Sequence, residues 1–414
     1  MKYVQGLFKS PKGRANCHYM GHSLEECKGQ NLHHMLTESP WEHKDLFKKI
    51  RQRCIRLLRR EKEKIYILID EVGFRKKGKH SACVGHQYIG SIGKNDNGQV
   101  AVTGALSAGD FYCPVEMELF MPEDWQDDTD RRMKAGIPAD KKHESKTVMA
   151  LRMIKRLFKS LSEDIECVVF DALYGNCIDF ICELQSRNIP FVGDIRENLT
   201  VFLDKPVWKT PKYSGRGRRS LKERPNRVSV QVRDYMHTLK KKDYQALTIR
   251  NGSKGTLKAR YHMRKVWILQ ESTNIFAEMH LLIRKDSDGR TKYALGDFPG
   301  RTNIKRMAKA QAQRVFVERV FEEGKNVAGM GDYQVRSWDG FHRHAAFSSL
   351  ALLFIMEQKL LLKRKGRKIT AYNIQELVNA TVVTISSIDQ IVQKIGQQIK
   401  CYQHQIENQL KTVT

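Results

Sequence analysis

Ile65-Tyr66-Ile67-Leu68-Ile69-Asp70 and Cys167-Val168-Val169-Phe170-Asp171 are the two stretches on which the reading of this chain turns. Each is a short apolar run with no polar face, the pattern of a strand covered on both sides. Each stops at an aspartate. After the second run comes a helical stretch from about Cys177 to Arg187, then a third apolar run, Pro190-Phe191-Val192-Gly193. Strand, helix and strand in that order imply parallel pairing and an α/β sheet. A lone aspartate after a strand is most often a turn former or a helix cap. Two of them, at the ends of buried strands where desolvating an acid is costly, point instead to a site once a third acid on a following helix joins them, since open α/β sheets build their sites at strand ends.

Outward from these runs the signals change. Gly78, Gly85, Gly90, Gly93 and Gly98 punctuate Val84, Tyr88, Ile92 and Val100-Ala101-Val102, a rhythm of two or three antiparallel strands. Residues 116–146 read as a polar loop with Glu123, Asp124, Asp127, Asp128 and Asp130, and 146–161 as a helix with Val148, Leu151, Ile154, Leu157 and Phe158 on its apolar stripe. Residues 201–270 hold 19 lysines and arginines against 4 acids, a net of +15 in a sixth of the length. Strand-like pieces lie inside and after this stretch: 228–232, 244–250, 266–269, 279–283 and 292–295. So 201–297 reads as a basic β-rich insertion that lies on DNA phosphates, with Arg216, Arg218 and Arg219 of its glycine-rich loop as contacts. Residues 1–60 read as a helical basic DNA-binding region, with a helix that starts at Ser39-Pro40-Trp41-Glu42 and turns Arg51, Arg53, Arg56, Arg59 and Arg60 mostly to solvent. The divisions expected are 1–60, 61–200 as a first part of the core, 201–297, 298–368 as the second part of the core, and a helical region over 369–414.

Composition narrows the function classes. With 41% hydrophobic residues the 414-residue chain buries a core, and its net charge of +27 calls for a polyanion. No stretch approaches the about 20 apolar residues of a spanning helix, since Ala345 to Met356 is too short, and no signal peptide follows Met1-Lys2-Tyr3. Nine cysteines without a CxxC pair read as free thiols of a reducing compartment. Cys17, His18, His22, Cys27, His33 and His34 lack the paired spacing of a zinc site and read as ordinary helical residues. Aromatic residues are not enriched in the basic stretch, which weighs against a single-stranded RNA binder.

A third acid comes from the helical stretch Gln311 to Lys325. Arg314 and Glu318 are four residues apart, and Lys325 lies seven beyond Glu318, so the three line one side of a helix whose Val317, Val320 and Phe321 press on the sheet. By itself this spacing describes a surface ion pair. In order and spacing, however, Asp70 in Leu68-Ile69-Asp70-Glu71-Val72-Gly73, Asp171 in Asp171-Ala172-Leu173-Tyr174-Gly175, Lys76-Lys77-Gly78-Lys79, Gln87-Tyr88-Ile89-Gly90, and Arg336-Ser337-Trp338 with His342-Arg343-His344 form a set. That set resembles the DDE transposases of bacterial insertion sequences, in particular those with a Y-x2-R-x3-E-x6-K signature. Here the signature positions read Gln311, Arg314, Glu318 and Lys325. The resemblance covers about residues 60–350 and departs at Gln311, where the family has tyrosine; the segment before residue 60 is short for a complete N-terminal DNA-binding domain.

The resemblance implies an RNase H-like mixed sheet flanked by helices, with Asp70, Asp171 and Glu318 both catalytic and metal-holding. It implies two Mg²⁺ ions, with Mn²⁺ as substitute. Arg314 and Lys325 are expected to grip phosphates beside the scissile bond, and His342 and His344 either to touch DNA or to serve the fold. The partners implied are double-stranded DNA, as element ends and target, and a second copy in the DNA complex. The location implied is the bacterial cytoplasm, at the nucleoid, with no membrane. Two alternatives share these residues: an RNase H-like DNA endonuclease without strand transfer, and an inactive transposase-derived DNA binder.

Overall fold

In a computed structural model of the chain, residues 2–24, 27–161, 163–212, 215, 220–252, 255–366 and 369–382 are described. Arg216, Arg218 and Arg219 lie outside them. Residues 1–357 form one unit and residues 358–414 a second.

Four helices open the chain: α1 (Lys2–Lys9), α2 (Cys17–Ser23), α3 (Gly29–Thr37) and α4 (His43–Glu61). The start expected at Ser39 is displaced to His43, with Glu42 at the cap position. The Trp41 indole donates to the Met35 carbonyl at 2.8 Å and holds 39–41 in a turn instead. The basic face of α4 is partly closed onto the rest of the unit: Arg51 meets Glu116 at 3.4 Å and Arg59 meets Asp164 at 2.8 Å.

Then β1 (Ile65–Arg75) begins, its first five residues all buried. It does not stop at Asp70. Strand β3 pairs with it from Tyr66 to Arg75, so the aspartate sits inside the strand, at the level where its parallel neighbour ends. β2 (Gly85–Ile89), β3 (Lys94–Ala108) and β4 (Phe111–Leu119) supply the expected antiparallel part. A short α5 (Thr129–Lys134) interrupts the polar loop, and α6 (Lys146–Leu161) follows. α6 covers the expected residues, but its buried stripe runs through Met149, Met153, Ile154 and Leu157, and Val148 is exposed. The flexible methionines fill the space a branched side chain was expected to take.

β5 (Ile165–Phe170), α7 (Ala172–Gly175), α8 (Ile178–Ser186) and β6 (Phe191–Ile195) make the parallel crossover. Four two-residue strands, β7 (Thr200–Val201), β8 (Trp208–Lys209), β9 (Arg224–Pro225) and β10 (Val230–Gln231), pair as β7 with β10 and β8 with β9. The strand expected over 228–232 shrinks to β10, because Val228 is exposed and Val232 already opens α9 (Val232–Thr238). Long strands β11 (Gln245–Gly252), β12 (Gly255–Gln270), β13 (Ile275–Lys285) and β14 (Thr291–Asp297) follow. Among the described residues, ten strands make one sheet in the order β11-β12-β13-β14-β6-β5-β1-β3-β2, with β4 also on β3. The strands of the basic segment thus continue the central sheet, since β14 pairs with β6 from Tyr293 to Asp297. This large mixed sheet flanked by helices is the expected RNase H-like α/β architecture.

The helical stretch over 304–328 is two helices, α10 (Ile304–Gln313) and α11 (Val315–Val327), which meet at Arg314. α12 (Trp338–Arg364) and α13 (Ala371–Val382) end the description. At 27 residues α12 is long and apolar enough to cross a bilayer, against the sequence expectation, and 56% of its most apolar window is buried inside the protein. Its serines and alanines tuck in beside the leucines, which is how an apolar core helix extends past the short run visible in the sequence.

Candidate active site

Pairing register brings the acids together. Ile69 lies beside Phe170, and Phe170 beside Gly193. The next residues along, Asp70, Asp171 and Asp194, therefore stand in one row across three adjacent parallel strands. Asp70 is the most constrained. Its Oδ1 accepts from the Glu71 amide at 2.8 Å. Burial, and then the negative charge of Asp171, raise its pKa from 3.8 to about 7. Arg314 pulls the other way with Nη2 at 3.6 Å from Oδ2, and the attraction does not win.

Asp171 caps α7, its Oδ1 accepting from the Leu173 amide at 2.9 Å. The same short helix carries Tyr174, whose buried hydroxyl donates to Glu71 Oε1 at 3.2 Å; Lys146 Nζ reaches that oxygen at 3.7 Å. Glu71 thereby ties the turn that bears Asp171 to the strand that bears Asp70.

Glu318 stands on the first turn of α11, exposed, while Phe316, Val317 and Val320 bury the other side of the helix. It accepts from Arg314 Nη1 at 2.9 Å. One guanidinium thus faces Asp70, Glu318 and, through Nε at 3.7 Å, Asp194. Burial works against its charge, but Asp70, Asp194, Asp171 and Glu318 outweigh it and raise its pKa. Among the described residues, no three acids, histidines or cysteines stand close enough to hold one metal ion. The donor set nevertheless suits a hard divalent cation, which takes carboxylate oxygens and relieves the repulsion that burdens Asp70.

Asp194 is the site residue that sequence reasoning missed. Gln311, in place of the signature tyrosine, is 4% exposed and donates its amide to Asp194 Oδ1 at 2.9 Å. Burial raises the Asp194 pKa, and the Gln311 and Arg314 contacts oppose the rise. The signal lay in Phe191-Val192-Gly193-Asp194, a third apolar run that ends in aspartate.

Other expected contacts fall elsewhere. Lys325 Nζ donates to the Gly73 carbonyl at 3.0 Å, which stitches α11 to β1 beyond the acids. His342 and His344 are each 1% exposed, which favours the second of the two roles expected of them, service to the fold. His342 Nδ1 bonds the Trp338 carbonyl and its Nε2 takes the Leu119 amide. His344 Nδ1 meets the Tyr3 hydroxyl at 2.7 Å, so it pins α1. Burial, the largest cause for both rings, lowers their pKa values to about 3 and about 4. A cleft of about 1130 Å³ opens away from the acids, lined among others by Cys17, His18, His22, Cys27 and His33.

The raised Asp70 pKa makes a stability prediction. Between pH 3.8 and about 7 the folded carboxyl keeps a proton that the unfolded chain has lost, so its contribution to stability falls as pH rises through that window. Asp70→Asn is expected to raise the melting midpoint of the metal-free protein at pH 8 by about 2–4 °C, with the gain shrinking toward pH 4. A shift that is absent, or the same at both pH values, would show that Asp70 carries no such burden.

Two comparisons bear on the site. A family model described as DDE superfamily endonuclease matches residues 2–256. A protein of Microchaete diplosiphon, named as the probable transposase for insertion sequence element IS701, is 35% identical over 174 residues, which is 41% of this chain and 41% of that protein.

Proposed function

Since the chain belongs to the DDE superfamily of endonucleases, a superfamily that generally works with divalent metal ions, we propose that it is a transposase. In this reading it cuts DNA at the ends of a mobile insertion sequence and joins the freed ends to a target, and Asp70, Asp171 and Glu318 form the reaction centre. The observation that carries the reading is the gathering of acids from two strands and a helix around one guanidinium. The name of the Microchaete relative points the same way.

Asp70, flanked by Asp171 and the Arg314–Glu318 pair, would hold divalent ions together with Asp171 and Glu318. When bound, a pair of Mg²⁺ ions, or Mn²⁺ in their place, activates the attacking oxygen and stabilises the leaving one. The chain supplies the rest. The Asp171 cap and the Glu71–Tyr174 bond hold the spacing of the two aspartates. Arg314, forked and permanently charged, is suited to a phosphate beside the scissile bond. Lys325 acts through β1, whose backbone it holds. Water is the nucleophile for nicking and a 3′-hydroxyl for joining. The net +15 of residues 201–270 supplies a phosphate-seeking surface for double-stranded DNA, including Arg216, Arg218 and Arg219. Two copies pair the two ends in a nucleoid-bound complex in the bacterial cytoplasm.

The test is an assay with labelled element ends, a target plasmid and Mg²⁺. Joined products that depend on Mg²⁺ are expected. Cleavage without joining would leave an endonuclease, and DNA binding with neither product would leave an inactive DNA binder.

A further inference from the structure

Arg314 has three competing anionic partners, Asp70, Glu318 and Asp194, and Asp194 is the partner that no reaction step uses. Its place is fixed twice over. Within β6 it pairs with Ala294 of β14, and Gln311 bonds its Oδ1 at 2.9 Å. Its Oδ2 faces Arg314 Nε at 3.7 Å, too long for a hydrogen bond. That Nε is buried and, among the described residues, has no hydrogen-bond partner. A buried donor that lacks an acceptor carries a desolvation cost, and a short approach to Asp194 removes it. Arg314 also sits at the junction between α10 and α11, and its long side chain can swing among the three carboxylates without moving the helix. At present its other two nitrogens cover Asp70 and Glu318, carboxylates that a cation needs open.

We propose that Asp194 is a positioning residue that draws Arg314 off Asp70 and Glu318, so that those carboxylates open to a divalent cation. The inference rests on the assignment of Asp70, Asp171 and Glu318 as the cation ligands. Asp194 is not itself a ligand, because Gln311 engages one of its oxygens and Arg314 faces the other. Without its charge, Arg314 falls back on Asp70 and Glu318 and competes with the ion.

The experiment measures Mn²⁺ binding to the DNA-free, full-length protein by the electron paramagnetic resonance signal of free Mn²⁺, a readout independent of turnover. Asp194→Asn, which keeps an acceptor for Gln311, is expected to weaken Mn²⁺ binding about fivefold, the scale of one ion pair. Arg314→Gln binds at least as tightly as the unaltered protein. The double variant Asp194→Asn/Arg314→Gln recovers the affinity of Arg314→Gln to within about twofold, because the competitor is gone. The proposal is overturned if Asp194→Asn binds Mn²⁺ as the unaltered protein does. It is equally overturned if the double variant stays as weak as Asp194→Asn, which would make Asp194 a ligand or a prop of the fold. Asp171→Asn runs beside them: unchanged Mn²⁺ binding there would sink the ligand assignment itself, separately from any result at Asp194.

Discussion

Asp171→Asn is expected to lower the rate of DNA strand cleavage by about a thousandfold or more, with DNA affinity changed by less than about twofold. The substitution is chosen for what it keeps. Asn retains an oxygen where Asp171 Oδ1 caps α7 through the Leu173 amide at 2.9 Å, so the turn keeps its shape and the protein its fold. What disappears is one negative charge beside Asp70. With it goes the repulsion from Asp171, which ranks second, after burial, among the causes that raise Asp70 to about 7. A divalent cation held by these acids would lose a hard anionic ligand, a loss worth several kcal/mol in a preorganised site. DNA affinity, by contrast, is expected to rest on many distributed lysines and arginines and not to register one carboxylate. Gel-shift titration and cleavage of a labelled end, run on the same preparation, separate the two quantities. Cleavage within tenfold of the unaltered protein would remove Asp171 from the reaction centre.

How much of this was legible beforehand depended on whether a feature is local. The apolar runs 65–69 and 167–170 each carry their own evidence, and both are strands. Their aspartates could be singled out because a buried run that stops at an acid is visible in a few residues. The extension of β1 to Arg75 was not legible, because β3 imposes it from some thirty residues away. The same holds for Asp194. Its run has the same form as the other two, but only pairing register, Ile69 to Phe170 to Gly193, places it level with Asp70 and Asp171. The four-residue spacing of Arg314 and Glu318 foretold their contact; it could not foretell that the helix would break at Arg314 and present the guanidinium to strands on either side. His342 and His344 stayed undecided between DNA contact and a structural role for a related reason. Their positions near a helix start suit either role, and only the packing of α1 and of the Leu119 strand end onto α12 shows their bonds to be internal. The basic segment was read by charge as a β-rich insertion, and that its last strand pairs with β6 of the central sheet is a preference that composition does not record.

Gly175→Ala is expected to cost about 3 kcal/mol or more of stability and to slow cleavage about a hundredfold. The reason is backbone against backbone. A Cβ on Gly175 would lie 2.0 Å from the Asp194 carbonyl oxygen and 3.1 Å from its carbonyl carbon. Neither atom can rotate away as a side chain would, and Asp194 is held in register by β14 on its far side. So α7 must lift from β6. Because Asp171 is the cap of that helix, with its carbonyl accepting from the Gly175 amide at 2.9 Å, the lift is passed directly to a carboxylate proposed for the reaction centre. Tyr174 moves with it and strains its bond to Glu71 on β1. One methyl group therefore acts on the whole row, Asp70, Asp171 and Asp194, without touching any of the three side chains. The two losses are read by thermal melting and by single-turnover cleavage at saturating Mg²⁺. Suppose the variant melted several degrees lower yet cleaved at the original rate: α7 would then be a support whose position the reaction does not need, and the spacing of the aspartates would have to be set by β1 and β5 alone.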